Sequence, residues 1–345
     1  TPVKGSCRYQ ATDISTCSEL QAMNNNLSGV YELVSDIDCS DTKNWNSGQG
    51  FRPIGLYPNE FGGVFYGNNF TIHNLYINRP SKPGVGLFGI VNSEAVINNV
   101  HLKALNITGR GEVGGLVGEN QGDIIYSSTE GVVVSAKNPD SGGLVGFNLG
   151  GSISRSFSVV NVSGEDYSAG LAGDNKGSIS YSYARGNVSG TGLKIGGLVG
   201  ACEGGSISDS YSTGTASGSS NVGGLLGSND GGCSPSKSYW DTQSSGLSGS
   251  DGGTGLKTAE MKQKASFTNW DFTNIWKIKE GETYPQLRFP EKNAVELFRD
   301  TGSGYEKIDK TLPESGNSSF NISNKGVPAG THSLKLTFEN DNGIK

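Results

Sequence analysis

Apolar residues in the middle of the chain come in short bursts, spaced by glycine and small polar residues, and the bursts recur at a fixed interval. Leu87, Leu116, Leu144, Leu171, Leu198 and Leu225 follow one another at intervals of 29, 28, 27, 27 and 27 residues. Each sits in a Gly-Leu-x-Gly core, from Gly86-Leu87-Phe88-Gly89 to Gly224-Leu225-Leu226-Gly227. A period of this size is the signature of a repeat architecture. A helical repeat fails on physics, because each of the many glycines would cost about 1 kcal/mol in a helix interior. The Ser, Thr, Val and Ile between them suit strands. A coil of this length at about 3.3 Å per residue traces roughly 90 Å, the perimeter of a three-sided parallel β-helix whose coils stack about 4.8 Å apart. The all-β expectation is therefore a right-handed solenoid of about 27-residue coils.

The offsets from each leucine predict ladders along the stack. Four residues on come Asn120, Asn148, Asn175, Cys202 and Asn229, read as an asparagine ladder with stacked amides. Ile124, Ile153, Ile179 and Ile207 form an apolar ladder for the core. A third runs through Tyr126 or an adjacent residue, then Phe157, Tyr183, Tyr211 and Tyr239. Strict alternation from each isoleucine to its aromatic would bury Arg155 and Asp209, so a corner is predicted between them. The aromatics then either stack as structure or line an outer face able to grip sugar rings.

Outside the repeats the pattern changes. Residues 1–50 read as an N-terminal cap, with a helical turn over Ser18–Met23 and a strand over Val30–Val34. Residues 51–290 hold the β-helix and its C-terminal cap. That cap has a predicted helix from Thr258 to Ala265 and an aromatic cluster of Trp270, Phe272, Trp276 and Tyr284. Residues 291–345 carry strand-like runs, Ala294–Phe298 and His332–Phe338, and form a partial β-sandwich module.

Composition narrows the function classes. The chain has 345 residues, 54 of them glycine, and a net charge of −6, so no pull toward nucleic acid is expected. No apolar run is long enough to span a membrane. The polar start at Thr1 fits a mature, processed secreted chain as well as a trimmed one. Five cysteines lack the spacing of a zinc site. Cys202 and Cys233 fall at nearby positions of successive coils and are disulfide candidates. Two of Cys7, Cys17 and Cys39 are expected to pair, without an indication of which. Disulfides imply an oxidising, extracellular compartment.

The unit Val113-Gly114-Gly115-Leu116-Val117-Gly118-x-Asn120-x-Gly122 resembles the GLUG repeat. So does the run from Gly197-Leu198-Val199-Gly200 to Ser210-Tyr211. Flanking motifs occur in matching order: Tyr31-Glu32-Leu33-Val34-Ser35-Asp36-Ile37-Asp38 and Phe51-Arg52-Pro53-Ile54-Gly55 before it, Ser238-Tyr239-Trp240-Asp241 and Tyr284-Pro285-Gln286-Leu287 after it. The resemblance covers roughly residues 10–290 and departs from the pattern at Cys202. It implies a secreted or surface-attached, adhesin-like β-helix without catalytic residues. The repeat family occurs in large bacterial and archaeal surface proteins and in non-catalytic regions of some IgA-cleaving metallopeptidases. The tail resembles part of a bacterial immunoglobulin-like module, shorter than the usual sandwich of about 100 residues.

Three functions follow as expectations. The first is a non-catalytic structural or adhesive surface protein, with cell-surface or matrix glycans, proteins or copies of itself as partners. The second is a carbohydrate-binding or polysaccharide-cleaving β-helix, with Phe157, Tyr183, Tyr211 and Tyr239 as sugar-facing residues. The third is an extracellular filament subunit completed by strand exchange through the tail. Paired-carboxylate glycoside hydrolysis would need acids at matching offsets on stacked coils. Glu119 and Asp174 each follow their leucine by three, but Phe147 and Ala201 intervene at that offset, so no adjacent-coil pair is offered there. No His-Glu-x-x-His occurs. No cofactor is expected, calcium apart: Asp36, Asp38 and Asp41 are a weak calcium candidate against solvated turn acids. Sequons occur at Asn26, Asn69, Asn106, Asn161, Asn187, Asn317 and Asn321, a number expected by chance in a chain this rich in Asn, Ser and Thr.

Overall fold

The computed structural model describes residues 11–137, 139–290, 297–300 and 305–308. The chain divides into two compact units, residues 11–288 and the two ends together (1–10 with 289–345). The first unit is an all-β parallel solenoid. Its coils contribute to three long ladders: an eight-stranded sheet from Thr12–Ile14 to Ser206–Ser208, a six-stranded sheet from Phe88–Val91 to Leu226–Asn229, and a twelve-stranded sheet from Ile37–Asp38 to Thr254–Leu256. A fourth, short ladder runs from Val113–Gly114 to Ser220–Gly223 and leads into each leucine. Equivalent residues pair in register from coil to coil, as Ile124, Ile153, Ile179 and Ile207 do.

The leucine register lies inside the stack. All six leucines are fully buried. The amide of Leu116 donates to the carbonyl of Leu144, Leu144 to Leu171, Leu171 to Leu198 and Leu198 to Leu225, at 2.9–3.0 Å. The glycine two residues after each leucine is there for space. A Cβ on Gly118, Gly146, Gly173, Gly200 or Gly227 would lie 2.6–2.7 Å from the carbonyl oxygen of its equivalent one coil earlier. Every near neighbour is backbone, so nothing can swing aside. Gly173→Ala is expected to lower unfolding stability by about 1–3 kcal/mol, read by denaturant titration.

The N-terminal cap follows from local signals. Thr16 caps the helix Cys17–Ala22 in a capping box with Glu19. Its apolar side buries Cys17 and Leu20. After the last coil the chain folds back along the stack from Thr258 to Arg288. The helix predicted for Thr258–Ala265 is instead two 3-10 turns, Glu260–Lys262 and Lys264–Ser266, split by extended Gln263. Burial of Met261 and later Trp276 against the coils, rather than helix propensity, sets this path. In the second unit, Leu297–Asp300 pairs antiparallel with Tyr305–Ile308. The predicted strand His332–Phe338 lies outside the described residues.

Candidate functional site

The asparagine ladder holds as predicted. Asn120 Nδ2 donates to Asn148 Oδ1 at 2.8 Å, and Asn148 Nδ2 to Asn175 Oδ1 at 2.7 Å. Each amide also donates to a nearby backbone carbonyl: Gly122, Gly151 and Gly177 in turn. At the next rung Asn175 Nδ2 meets Cys202 Sγ at 3.5 Å. Cys202 is bonded to Cys233, with Cα atoms 5.9 Å apart. Cys17 pairs with Cys39, Cα atoms 5.4 Å apart, and ties the cap helix to the first coils. Cys7 lies outside the described residues.

The aromatic ladder differs from expectation in two ways. Its first rung is Ser128, which pairs with Phe157; Tyr126 sits two residues earlier, at the corner. That corner is the one predicted. Tyr126, Arg155, Tyr181, Asp209 and Lys237 all have left-handed φ of 46–51°. The Arg155 guanidinium lies 5.4 Å from the Tyr126 ring centre and 5.6 Å from that of Tyr181. Asp209 is nonetheless buried.

Phe157, Tyr183 and Tyr211 stack at 4.7 and 5.0 Å, and the C-terminal segment covers the two tyrosines. Trp276 packs 6.2 Å from Tyr183 and 6.0 Å from Tyr211. Phe267 meets Tyr239 edge-on at 5.2 Å. Arg185 Nη2 and the Tyr211 hydroxyl both donate to the Pro285 carbonyl. Tyr183, Tyr211 and Tyr239 are buried, so these three rings are spent on packing, and Phe157 is half-buried. Asp241, fully buried, anchors the segment by accepting from Thr258 and Tyr284 at 2.7 Å. Burial alone would raise its pKa. Hydrogen bonds from Tyr284, the Ser244 amide, Thr258 and the Gln243 amide outweigh that and hold it below the usual range.

A group of acids gathers on another corner. Glu112, Asp140, Tyr167, Lys194 and Asn221 occupy equivalent left-handed positions four residues before their leucines. Beside this column runs a second, in which Phe147 pairs with Asp174 and Asp174 with Ala201. Burial, then the charges of Asp174, Glu112 and Glu203, push Asp140 up to about 8. Burial and then Glu203 push Asp174 up to about 6. Lys176, 2.8 Å from Glu203 and 4.0 Å from Asp174, offsets part of this. Asp174 Oδ1 is buried and makes no hydrogen bond. The +3 offset alone hides this neighbourhood, because there Asp174 is flanked by Phe147 and Ala201. The −4 offset shows it, with Glu112 and Asp140 on adjacent coils and Asp174 joining them from the +3 offset of the next. Chemically it sets carboxyls with raised pKa values beside one another and beside Lys176.

A raised carboxyl pKa means that the folded state binds the proton more tightly than the unfolded chain. The Asp140 contribution is therefore fully present below about 4 and lost as pH rises toward 8. Relative to Asp140→Asn, the wild-type protein should lose on the order of 2 kcal/mol between pH 4 and 8, allowing for solvent screening. Paired denaturant titrations at both pH values check this.

The remaining candidates are scattered. Asp36 accepts from the Thr71 amide at 2.8 Å. Asp38 accepts from Asn74 and the Ser40 amide, and Asp41 is exposed. Among the described residues no group of three or more His, Cys, Asp or Glu is placed to hold a metal ion. Asn106, Asn161 and Asn187 are exposed in one column, pairing through Val132 and then directly. Asn161 Oδ1 accepts from the Asn187 amide. Asn26 is exposed and Asn69 half-buried; Asn317 and Asn321 lie outside the described residues.

No family model matches the chain. Halomucin of Haloquadratum walsbyi is 37% identical over 129 residues, 35% of this chain and 1% of that protein. A candidate Gly-rich membrane protein of Evansella cellulosilytica is 35% identical over 122 residues, 34% of this chain and 14% of that protein. The chain thus spans a small part of the curated relatives it matches. A crystal structure of a candidate immunoglobulin A1 protease from Bacteroides ovatus matches with a TM-score of 0.63 at 21% identity, over 82% of this chain and 93% of that one. The two share one fold. It is the parallel β-solenoid. Among the described residues no helix is long and apolar enough to cross a membrane.

Proposed function

We propose that this chain is a GLUG-type solenoid segment of an extracellular, surface-displayed protein, with a structural or adhesive and non-catalytic role. The observation that carries the reading is the pair of closed disulfides, Cys17–Cys39 and Cys202–Cys233, which suit an oxidising compartment. The coil-to-coil use of Asn, Ile and Tyr side chains supports it, since these groups hold the stack rather than face a substrate. Deleting residues 84–240 from the parent protein is expected to impair surface attachment or assembly of the producing cells. Unchanged attachment would count against the role.

A second reading is polysaccharide cleavage, favoured by the Asp140–Asp174 neighbourhood with its raised pKa values. Release of reducing ends from a plant or bacterial polysaccharide by the purified chain, lost in Asp140→Asn and Asp174→Asn, would establish it. The structural reading predicts no release.

A further inference from the structure

Between the cap helix and the loop at residues 52–59 lies a two-chambered cleft. One chamber, about 300 Å³, is walled by Tyr57 and Asn59, and its neighbour, about 590 Å³, by Trp45. Both share Arg52, Asn24 and Asn25. The floor is held in place. Gln21 Nε2 donates to the Arg52 carbonyl at 2.8 Å, and the Arg52 amide donates back to Gln21 Oε1 at 2.7 Å. The Gly55 amide donates to Asn24 Oδ1 at 3.3 Å. The capping box and the Cys17–Cys39 bond fix the helix that carries Gln21.

The groups facing the opening are less committed. Among the described residues no carboxylate pairs with the Arg52 guanidinium. A second cation lies close enough for its own ionisation to register the charge of Arg52: Arg79, whose pKa is lowered by burial and then by Arg52. Tyr57 is 82% exposed, the most exposed large apolar side chain in the described chain, with nothing covering its ring. Trp45 is half-buried beside Phe51.

We infer that this cleft binds a carboxylated sugar, a uronate residue within a glycan, with its carboxylate on Arg52. A guanidinium offers a planar fork that matches a carboxylate. Side-chain amides from Asn25 and Asn59 match ring hydroxyls as donor and acceptor at once. Aromatic faces in both chambers suit the flat apolar sides of successive sugar rings. An acidic peptide shares the charge but not the use for these faces. The sugar-binding function expected of the covered tyrosines thus moves to the opposite end of the stack. This inference stands apart from the surface role. A surface-displayed chain that binds no acidic sugar would remove it and leave that role intact.

The test is calorimetric titration of the intact chain with tetragalacturonate, its methyl ester and tetraglutamate, using the wild-type protein, Arg52→Gln and Tyr57→Ala. Both side chains are exposed, and unchanged thermal unfolding confirms that the variants fold. Tetragalacturonate should bind at least about tenfold more tightly than its ester, and each substitution should weaken it about tenfold or more, as expected on losing a charge-assisted contact or a stacked ring. No binding, equal binding of acid and ester, indifference to Arg52→Gln, or equal binding of tetraglutamate would overturn the proposal.

Discussion

Trp276→Ala is expected to cost about 3–5 kcal/mol, the range for removing a fully buried large aromatic side chain. Trp276 has no exposed surface and packs within 4.4 Å of Trp270, between ring centres, while touching two rungs of the aromatic ladder. Its indole Nε1 makes no hydrogen bond, so the loss is one of packing. The effect should be local as well as large. Limited proteolysis should cut the variant within residues 258–288 while the coils up to Asn229 stay protected. Wild-type resistance and an unchanged unfolding midpoint would mean that the segment is not held by its aromatics.

The second large effect is expected in the asparagine ladder. Asn148→Leu should destabilise by about 2–4 kcal/mol, because it strands one buried acceptor, at about 1–3 kcal/mol, and removes two further buried hydrogen bonds at about 1 kcal/mol each. Asn175 Oδ1 loses its donor, the Gly151 carbonyl keeps only the Ser178 amide, and Asn120 Nδ2 loses one of its two acceptors. Asn120→Leu should cost less. Its Oδ1 accepts nothing, and the rung before it is already Val91. Equal losses at both positions, read by denaturant titration, would show that the ladder does not act as a directional chain of amides.

These two sites divide what a sequence can reveal. The ladder was legible because each rung repeats an offset from a buried leucine, and the same offset marked Cys202 as the changed rung. The corner before the aromatics was legible from the cost of burying Arg155 and Asp209. The covering segment was not, because Pro285 meets Arg185 and Tyr211 across 100 and 74 residues with no period behind it. An aromatic column facing outward looks the same whether solvent or chain covers it. The first rung was misplaced for a related reason. Coil length varies by a residue or two at the corners, enough to exchange Tyr126 for Ser128. The Cys17–Cys39 pairing needed the helix in place. The acid neighbourhood needed two adjacent columns to be read together, and the cleft at Arg52 lies outside the repeat altogether.

The regularity also bears on function. A side chain that bonds to its copy one coil away is fixed by the stack, so freedom to meet a partner is left to positions that do not repeat. Arg52 and Tyr57 beside the cap and the acids around Asp140 are such positions.

Display outside the cell as a disulfide-closed solenoid is tested by antibodies raised against the purified chain and applied to intact and to lysed producing cells. Labelling of intact cells, or of material they shed, is expected at a level that lysis does not raise. Labelling that appears only after lysis would contradict it.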